Sequence, residues 1–137
     1  MLKDGWYVVP WQVIFRDLDA FGHVNNAVYL SYFEWARAKL WFELTGGANA
    51  RDISFIVARA EIDFKAQIGL EPIELAVRVG EMRTTSFDTL YEIRNQNGKQ
   101  LAATGRVVLV LFDWKRHAKL PIPDDLREKV RTLFGRE

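Results

Sequence analysis

The run from Phe15 to Trp41, FRDLDAFGHVNNAVYLSYFEWARAKLW, joins two unlike kinds of sequence. Its first third crowds Asp17, Asp19, Gly22, His23, Asn25 and Asn26 together. The remainder is apolar at helical spacing: Tyr29, Phe33, Ala36, Leu40 and Leu44 form one stripe, which Val28, Tyr32 and Trp35 widen. Positions 27, 31, 34 and 38 (Ala, Ser, Glu, Ala) leave only a narrow small-and-polar stripe. A helix apolar over so much of its circumference is expected to be enclosed. Asn25 or Asn26 is the expected N-cap, its side-chain oxygen accepting from an orphan N–H one turn on. Gly46-Gly47 is the expected stop, giving about 20 residues or roughly 30 Å. Glu34 lies in the small stripe, and burial there would require a partner, such as Arg37 three residues on.

Around this helix the chain reads as sheet. Tyr7 to Arg16 is rich in Val, Ile, Phe and Trp, with Pro10 marking an edge or a bulge. Asp17 to His23 breaks that pattern and reads as a loop. From Ala58 to Ile68 apolar residues alternate with Arg59, Glu61, Asp63, Lys65 and Gln67, a charged face expected to be solvated. Gly69 to Pro72 turns the chain, and Ile73, Leu75, Val77 and Val79 alternate next. Thr84 to Ser86 turns it again before a strand from Phe87 to Arg94, and Asn97-Gly98 predicts a two-residue hairpin. Gln100 to Phe112 forms the last strand, with Leu101, Ala103, Val107, Leu109 and Leu111 on one face across Gly105. Asp125 and Glu128 have capping-box spacing ahead of Leu126, Val130, Leu133 and Phe134, which predicts a short closing helix. Short turns imply antiparallel neighbours. The expected architecture is α+β: five antiparallel strands wrapped around one long central helix, in a single domain over residues 1–137.

The 137 residues carry a net charge of +1, which gives no basic footprint for nucleic acid. The absence of cysteine excludes disulfides, thiolate metal sites and a cysteine nucleophile, and fits a cytoplasmic protein. No apolar run approaches the roughly 18–20 residues of a membrane span, and MLKDGWYVVPW lacks the apolar core of a secretory signal. His23 and His117 have no zincin-type spacing, so no metal is expected. There is no G-x-S-x-G elbow and no glycine-rich phosphate loop.

The pattern D-x-D-x-x-G-H-V-N-N-x-x-Y, from Asp17 to Tyr29 and followed by Glu34-Trp35-Ala36-Arg37, resembles the hotdog-fold acyl thioesterases, specifically their 4-hydroxybenzoyl-CoA thioesterase-like branch. The resemblance implies a hotdog fold, an acyl-CoA substrate and no separate cofactor, CoA being part of the substrate. It also implies that Asp19, the second aspartate of the pair, is the catalytic carboxylate, with the helix N-terminus near the thioester. Members of the family are dimers joined sheet edge to sheet edge, often paired again into tetramers, with active sites at the subunit interface. The plant acyl-carrier-protein thioesterases look similar in this stretch but carry an Asn where this chain has Phe21.

Thioester hydrolysis needs a nucleophile or an activated water, and donors for the charge that grows on the carbonyl oxygen. A carboxylate can attack directly or act as general base, so Asp19 suits either role. Backbone amides near Gly22 and His23, at a helix start, are the expected oxyanion donors. His23 either orients Asp19 or a water, or holds the loop; Phe15 and Phe21 are expected to shelter the carboxylate. Phe21, Asn25, Asn26 and Tyr29 are expected to border the substrate, with Asn25 and Asn26 acting chiefly as cap and clamp. Asp17 is read as structural, and Lys65, Arg83, Lys115 and Arg116 are candidates for the CoA phosphates by charge. The alternatives are a carrier-protein thioesterase and a non-catalytic acyl- or CoA-binding module; a hotdog dehydratase carries different motifs. Aromatic residues suit an aryl and a fatty acyl group equally.

Overall fold

In the computed structural model, which describes residues 1–46 and 55–135, the long helix lies across one face of an antiparallel sheet. In chain order the elements are β1 (Leu2–Lys3), β2 (Trp6–Gln12), a 3-10 turn (Phe15–Asp17), α1 (Val28–Thr45) and β3 (Phe55–Phe64). There follow β4 (Pro72–Met82), β5 (Ser86–Asn95), β6 (Gln100–Asp113), β7 (Ala118–Lys119) and α2 (Asp124–Phe134). The strand order is β1-β2-β4-β5-β6-β3, with β7 also pairing with β6.

The five expected strands are β2 to β6, and two short ones join them, making seven among the described residues. β1 returns on Asp4-Gly5, both at positive φ (54° and 83°), which is the Asp-Gly signal of a two-residue hairpin. That dipeptide was legible and is absent from the five-strand expectation. β2 stops at Gln12, and Phe15–Asp17 coils instead of extending it. Pro10 sits exposed beyond the reach of β1, where no neighbouring strand needs its missing N–H.

β3 begins at Phe55 and ends at Phe64, so the alternation up to Ile68 does not continue as strand. A bulge between Val57 and Arg59 resets its register on β6. The ladder ends because the N–H groups of Lys65 and Ala66 converge on one acceptor, the Ala102 carbonyl, at 2.8 and 3.1 Å. The hairpin after β5 is also longer than expected. Asn95 pairs with Gln100, and Gln96, Asn97 and Gly98 all take positive φ, so four residues turn the chain where two were expected.

α1 buries Tyr29, Tyr32, Phe33, Ala36, Leu40 and Leu44 against the inward residues of β4, β5 and β6. The large apolar side chains among them contribute about 1.5–3 kcal/mol each when fully buried. Phe33 stacks on Tyr91 with ring centroids 4.3 Å apart, over the place where Gly105 has no side chain. A Cβ there would lie 2.2 Å from the Phe33 ring. The opposite side of α1 is not enclosed by the described residues: Leu30, Trp35 and Phe42 are exposed, because the sheet covers one side only. Glu34 is exposed as well, and Arg37 reaches the Tyr91 hydroxyl at 3.4 Å instead of pairing with it. Gly46 caps the helix at φ 67°; Gly47 lies outside the described residues.

α2 closes the far end of the core through Leu126 and Val130, with Ile122 just before it. Its N-cap is Pro123, and no capping box forms: Asp125 accepts from the adjacent Leu126 N–H, while Glu128 pairs with Arg131 at 3.0 Å. Among the described residues no helix is long and apolar enough to cross a membrane.

The outer face of the sheet is solvated at Arg59, Glu61, Asp63 and Lys65, as expected, and also carries an ion network. Asp88 on β5 is buried between the guanidiniums of Arg83 (2.5 Å) and Arg106 (3.1 Å). Arg106 reaches Glu61 on β3, which pairs with Arg59 at 2.8 Å. Burial alone would push the Asp88 carboxyl up, but the hydrogen bonds from Arg83 and Arg106 outweigh it and hold it below the ordinary value of 3.8.

Candidate active site

The loop before α1 closes on its own aspartate. One carboxylate oxygen of Asp19 accepts the N–H groups of Phe21 (2.9 Å) and His23 (3.2 Å). The Asp19 carbonyl accepts from Gly22, and its N–H donates to the His23 carbonyl at 2.8 Å. Gly22 sits at φ +83°, a conformation that a residue with a Cβ rarely adopts. The Asp19 Oδ2 atom has no hydrogen-bond partner among the described residues.

Asp17 and Asp19 face different surroundings. Asp17 Oδ2 accepts from the buried Tyr32 hydroxyl at 2.8 Å, and its carbonyl accepts the Asn25 N–H. It ties the loop to α1, the structural part expected of it. Burial, reinforced by the bond to Asp17, raises the Tyr32 phenol well above its usual range and keeps it protonated.

Asn25 Oδ1 accepts the Ala27 N–H at 2.9 Å, so it closes a lead-in turn one residue ahead of α1. The N-cap itself is Ala27, with no side-chain bond. A different donor survives: among the described residues the N–H of Asn26 has no acceptor. The amides of Gly22 and His23, the expected oxyanion donors, are engaged by Asp19, whereas that of Asn26, two residues before the helix start, has no acceptor among the described residues.

Asp19, His23, Asn26 and Tyr29 line a cleft of about 340 Å³ whose opposite wall is residues 64–67, where the chain leaves β3. Tyr29 packs edge-on against Phe64 at 4.9 Å, and burial pushes its hydroxyl up, so it stays protonated. Phe64 and Gln67 line the cleft and were not singled out in the sequence, though the end of the alternation before Gly69 marked the place. Phe21 is 86% exposed and Phe15 81%, so neither shelters Asp19, which is itself exposed. Phe21 and Asn25 do not line the cleft. Of the four candidate phosphate-binding cations, only Lys65 lies there; Arg83 is engaged by Asp88, and Lys115 and Arg116 belong to the β6–β7 turn.

A carboxylate with one open oxygen thus stands beside an N–H that has no acceptor among the described residues, at the start of a helix lying across an antiparallel sheet. The family model of the thioesterase-like superfamily matches residues 13–130. The chain belongs to that superfamily and has its hotdog fold. Among solved structures, a thioesterase from Thermus thermophilus in complex with coenzyme A and Zn is 35% identical, with TM-score 0.87 over 98% of this chain and 99% of that one. A predicted thioesterase from Bacillus stearothermophilus is 26% identical, with TM-score 0.85 over 96% and 98%. The long-chain acyl-CoA thioesterase FadM of Escherichia coli (strain K12) is 26% identical over 122 residues, spanning 85% of this chain and 90% of that protein.

Proposed function

We propose that this thioesterase-family chain hydrolyses acyl-CoA thioesters, with Asp19 as the reacting carboxylate. The carrying observation is the pairing of the open Asp19 oxygen with the free Asn26 N–H in one cleft. Two routes fit. Asp19 attacks the carbonyl carbon, the C–S bond breaks to release CoA thiolate, and water then hydrolyses the mixed anhydride. Alternatively Asp19 takes a proton from water as the oxygen adds to the carbonyl, and the collapsing adduct expels the same thiolate. In both, negative charge grows on the former carbonyl oxygen, where the Asn26 N–H and the α1 dipole stabilise it; one such donor is worth about 3–4 kcal/mol. His23 holds the loop through its backbone and borders the substrate with Tyr29.

The coenzyme A bound to the Thermus relative supports a CoA thioester over a carrier-protein one. The FadM relationship puts long acyl chains first for testing. The edge of β3, which pairs with no other strand among the described residues, carries exposed Val57 and leads straight into the cleft wall at Phe64, which supports a homodimer joined at that edge, with tetramers as pairs of such dimers.

The test is thiol release across acetyl-, octanoyl-, palmitoyl-, benzoyl- and hydroxybenzoyl-CoA, alongside Asp19→Asn. The chain has no cysteine to add background. Release that depends on Asp19 is expected, and silence across the panel from folded protein would favour a carrier-protein substrate or a binding module. After single turnover in H₂¹⁸O, label in Asp19 itself would establish nucleophilic attack, with water opening the anhydride at the aspartyl carbon.

A further inference from the structure

A second cavity lies away from Asp19. It is a cleft of about 540 Å³ between the outer face of the sheet and α2. α2 closes the core at the C-terminal end of α1, and α1 separates the two ends by roughly 27 Å. Ligand sites are typically about 300–1,000 Å³ and mostly apolar, with a few polar groups that fix orientation. This cleft has that character. Trp6, Leu90 and Phe134 supply an apolar lining, and Arg78, Arg127 and Arg131 stand around it.

The state of those guanidiniums identifies the ligand. Arg78 lies over the Trp6 ring at 5.7 Å and has no carboxylate partner among the described residues. Arg127 donates one N–H to the Arg83 carbonyl and likewise has no acid partner. Arg131 is neutralised by Glu128, and the one acid of the cleft, Glu81, is paired with Arg83. Two uncompensated guanidiniums therefore face an apolar floor. The guanidinium fork matches a carboxylate in two-point geometry, and its flat face tolerates apolar neighbours better than an ammonium does.

We propose that this cleft is a second ligand site, for an amphipathic monocarboxylate whose apolar body rests on Trp6, Leu90 and Phe134 and whose carboxylate meets Arg78 and Arg127. The site is defined by its own residues and stands apart from the chemistry assigned to Asp19. Were the chain a thioesterase for fatty substrates, the acid it releases would belong to the class this cleft takes.

The experiment is calorimetric titration of the full chain with dodecanoate below its micellar concentration, with dodecanol and dodecyl phosphate in parallel. Dodecanoate is expected to bind at least tenfold more tightly than dodecanol. The Arg78→Gln/Arg127→Gln double variant should lose that binding at least tenfold while thiol release stays within twofold. Arg127 also holds the Arg83 carbonyl, so a Leu90→Trp variant, which fills the cleft and keeps both guanidiniums, is the second arm and should lose binding equally. Equal affinity for dodecanol, retention of dodecanoate by both variants (as binding in the Asp19 cleft would give), or preference for dodecyl phosphate overturns the proposal.

Discussion

Asp19 and Asp88 are both hydrogen-bonded aspartates, and they are held for opposite ends. Asp88 is buried, with both oxygens occupied by the guanidiniums of Arg83 and Arg106. Asp19 is exposed, and backbone N–H groups hold one oxygen only. A carboxylate pinned through both oxygens by cations is a strut between strands. One pinned through a single oxygen by its own loop is aimed and keeps a lone pair for chemistry. The number and kind of donors therefore separate a structural acid from a reactive one more cleanly than burial does.

Four measurements would break or sharpen that contrast. The largest effect is expected at Asp19→Asn, where thiol release should fall by about 10²–10⁴-fold while stability stays within about 0.5 kcal/mol. Undiminished turnover would remove Asp19 from the mechanism. Asp88→Ala should do the reverse, costing about 3 kcal/mol in urea unfolding because it leaves two guanidiniums without their shared counter-ion. Its turnover per folded molecule should not change. Asp17 is the intermediate case, with one side-chain donor; Tyr32→Phe should cost about 1.5 kcal/mol, the lower range for a bond to a charged group, and should loosen the loop enough to raise KM. The smallest effect is in pH. Asp88 is depressed in the folded state, so its contribution is complete above the unfolded value of 3.8 and is lost as pH falls from there through the folded value. Wild-type stability should therefore decline on acidification by up to about 1.4 kcal/mol per pH unit more than that of Asp88→Asn. Parallel acid limbs would contradict the assignment.

Much of this was legible in the chain. The apolar stripe of α1, the alternation of β4 to β6 and the D-x-D-to-Tyr29 spacing all carry their meaning locally, since periods of 3.6 and 2 are properties of short segments. What was not legible depends on where individual N–H groups point. The composition of residues 19–26 suggests a loop rich in donors, but only its closure on Asp19 shows that Gly22 and His23 have none to spare and that Asn26 does. The end of β3 was equally hidden, because it is set by a carbonyl at Ala102, far along the chain. The uncovered side of α1 was misjudged because its pattern reports how much of the helix avoids water, not whether the same chain supplies the cover. Asp4-Gly5, by contrast, was a local signal of the same kind as Asn97-Gly98.

The strand order has a kinetic consequence. β4, β5 and β6 are joined by short hairpins, whereas β2 enters beside β4 with Tyr7 opposite Val77, and β3 pairs with β6 although β4 and β5 lie between them in the chain. Closing the longer loops costs more chain entropy and is rewarded only once the pairing forms. The Asp19 loop docks through just such distant contacts, Val13 to the Glu71 carbonyl and Val24 to the Ile68 carbonyl. On refolding from urea, the far-ultraviolet signal of the β4–β6 meander is expected to return before thiol-releasing activity does. Simultaneous recovery would mean that the whole sheet condenses in one step. A time lag would make Asp19, the proposed catalytic carboxylate, the last part of the molecule to be set in place.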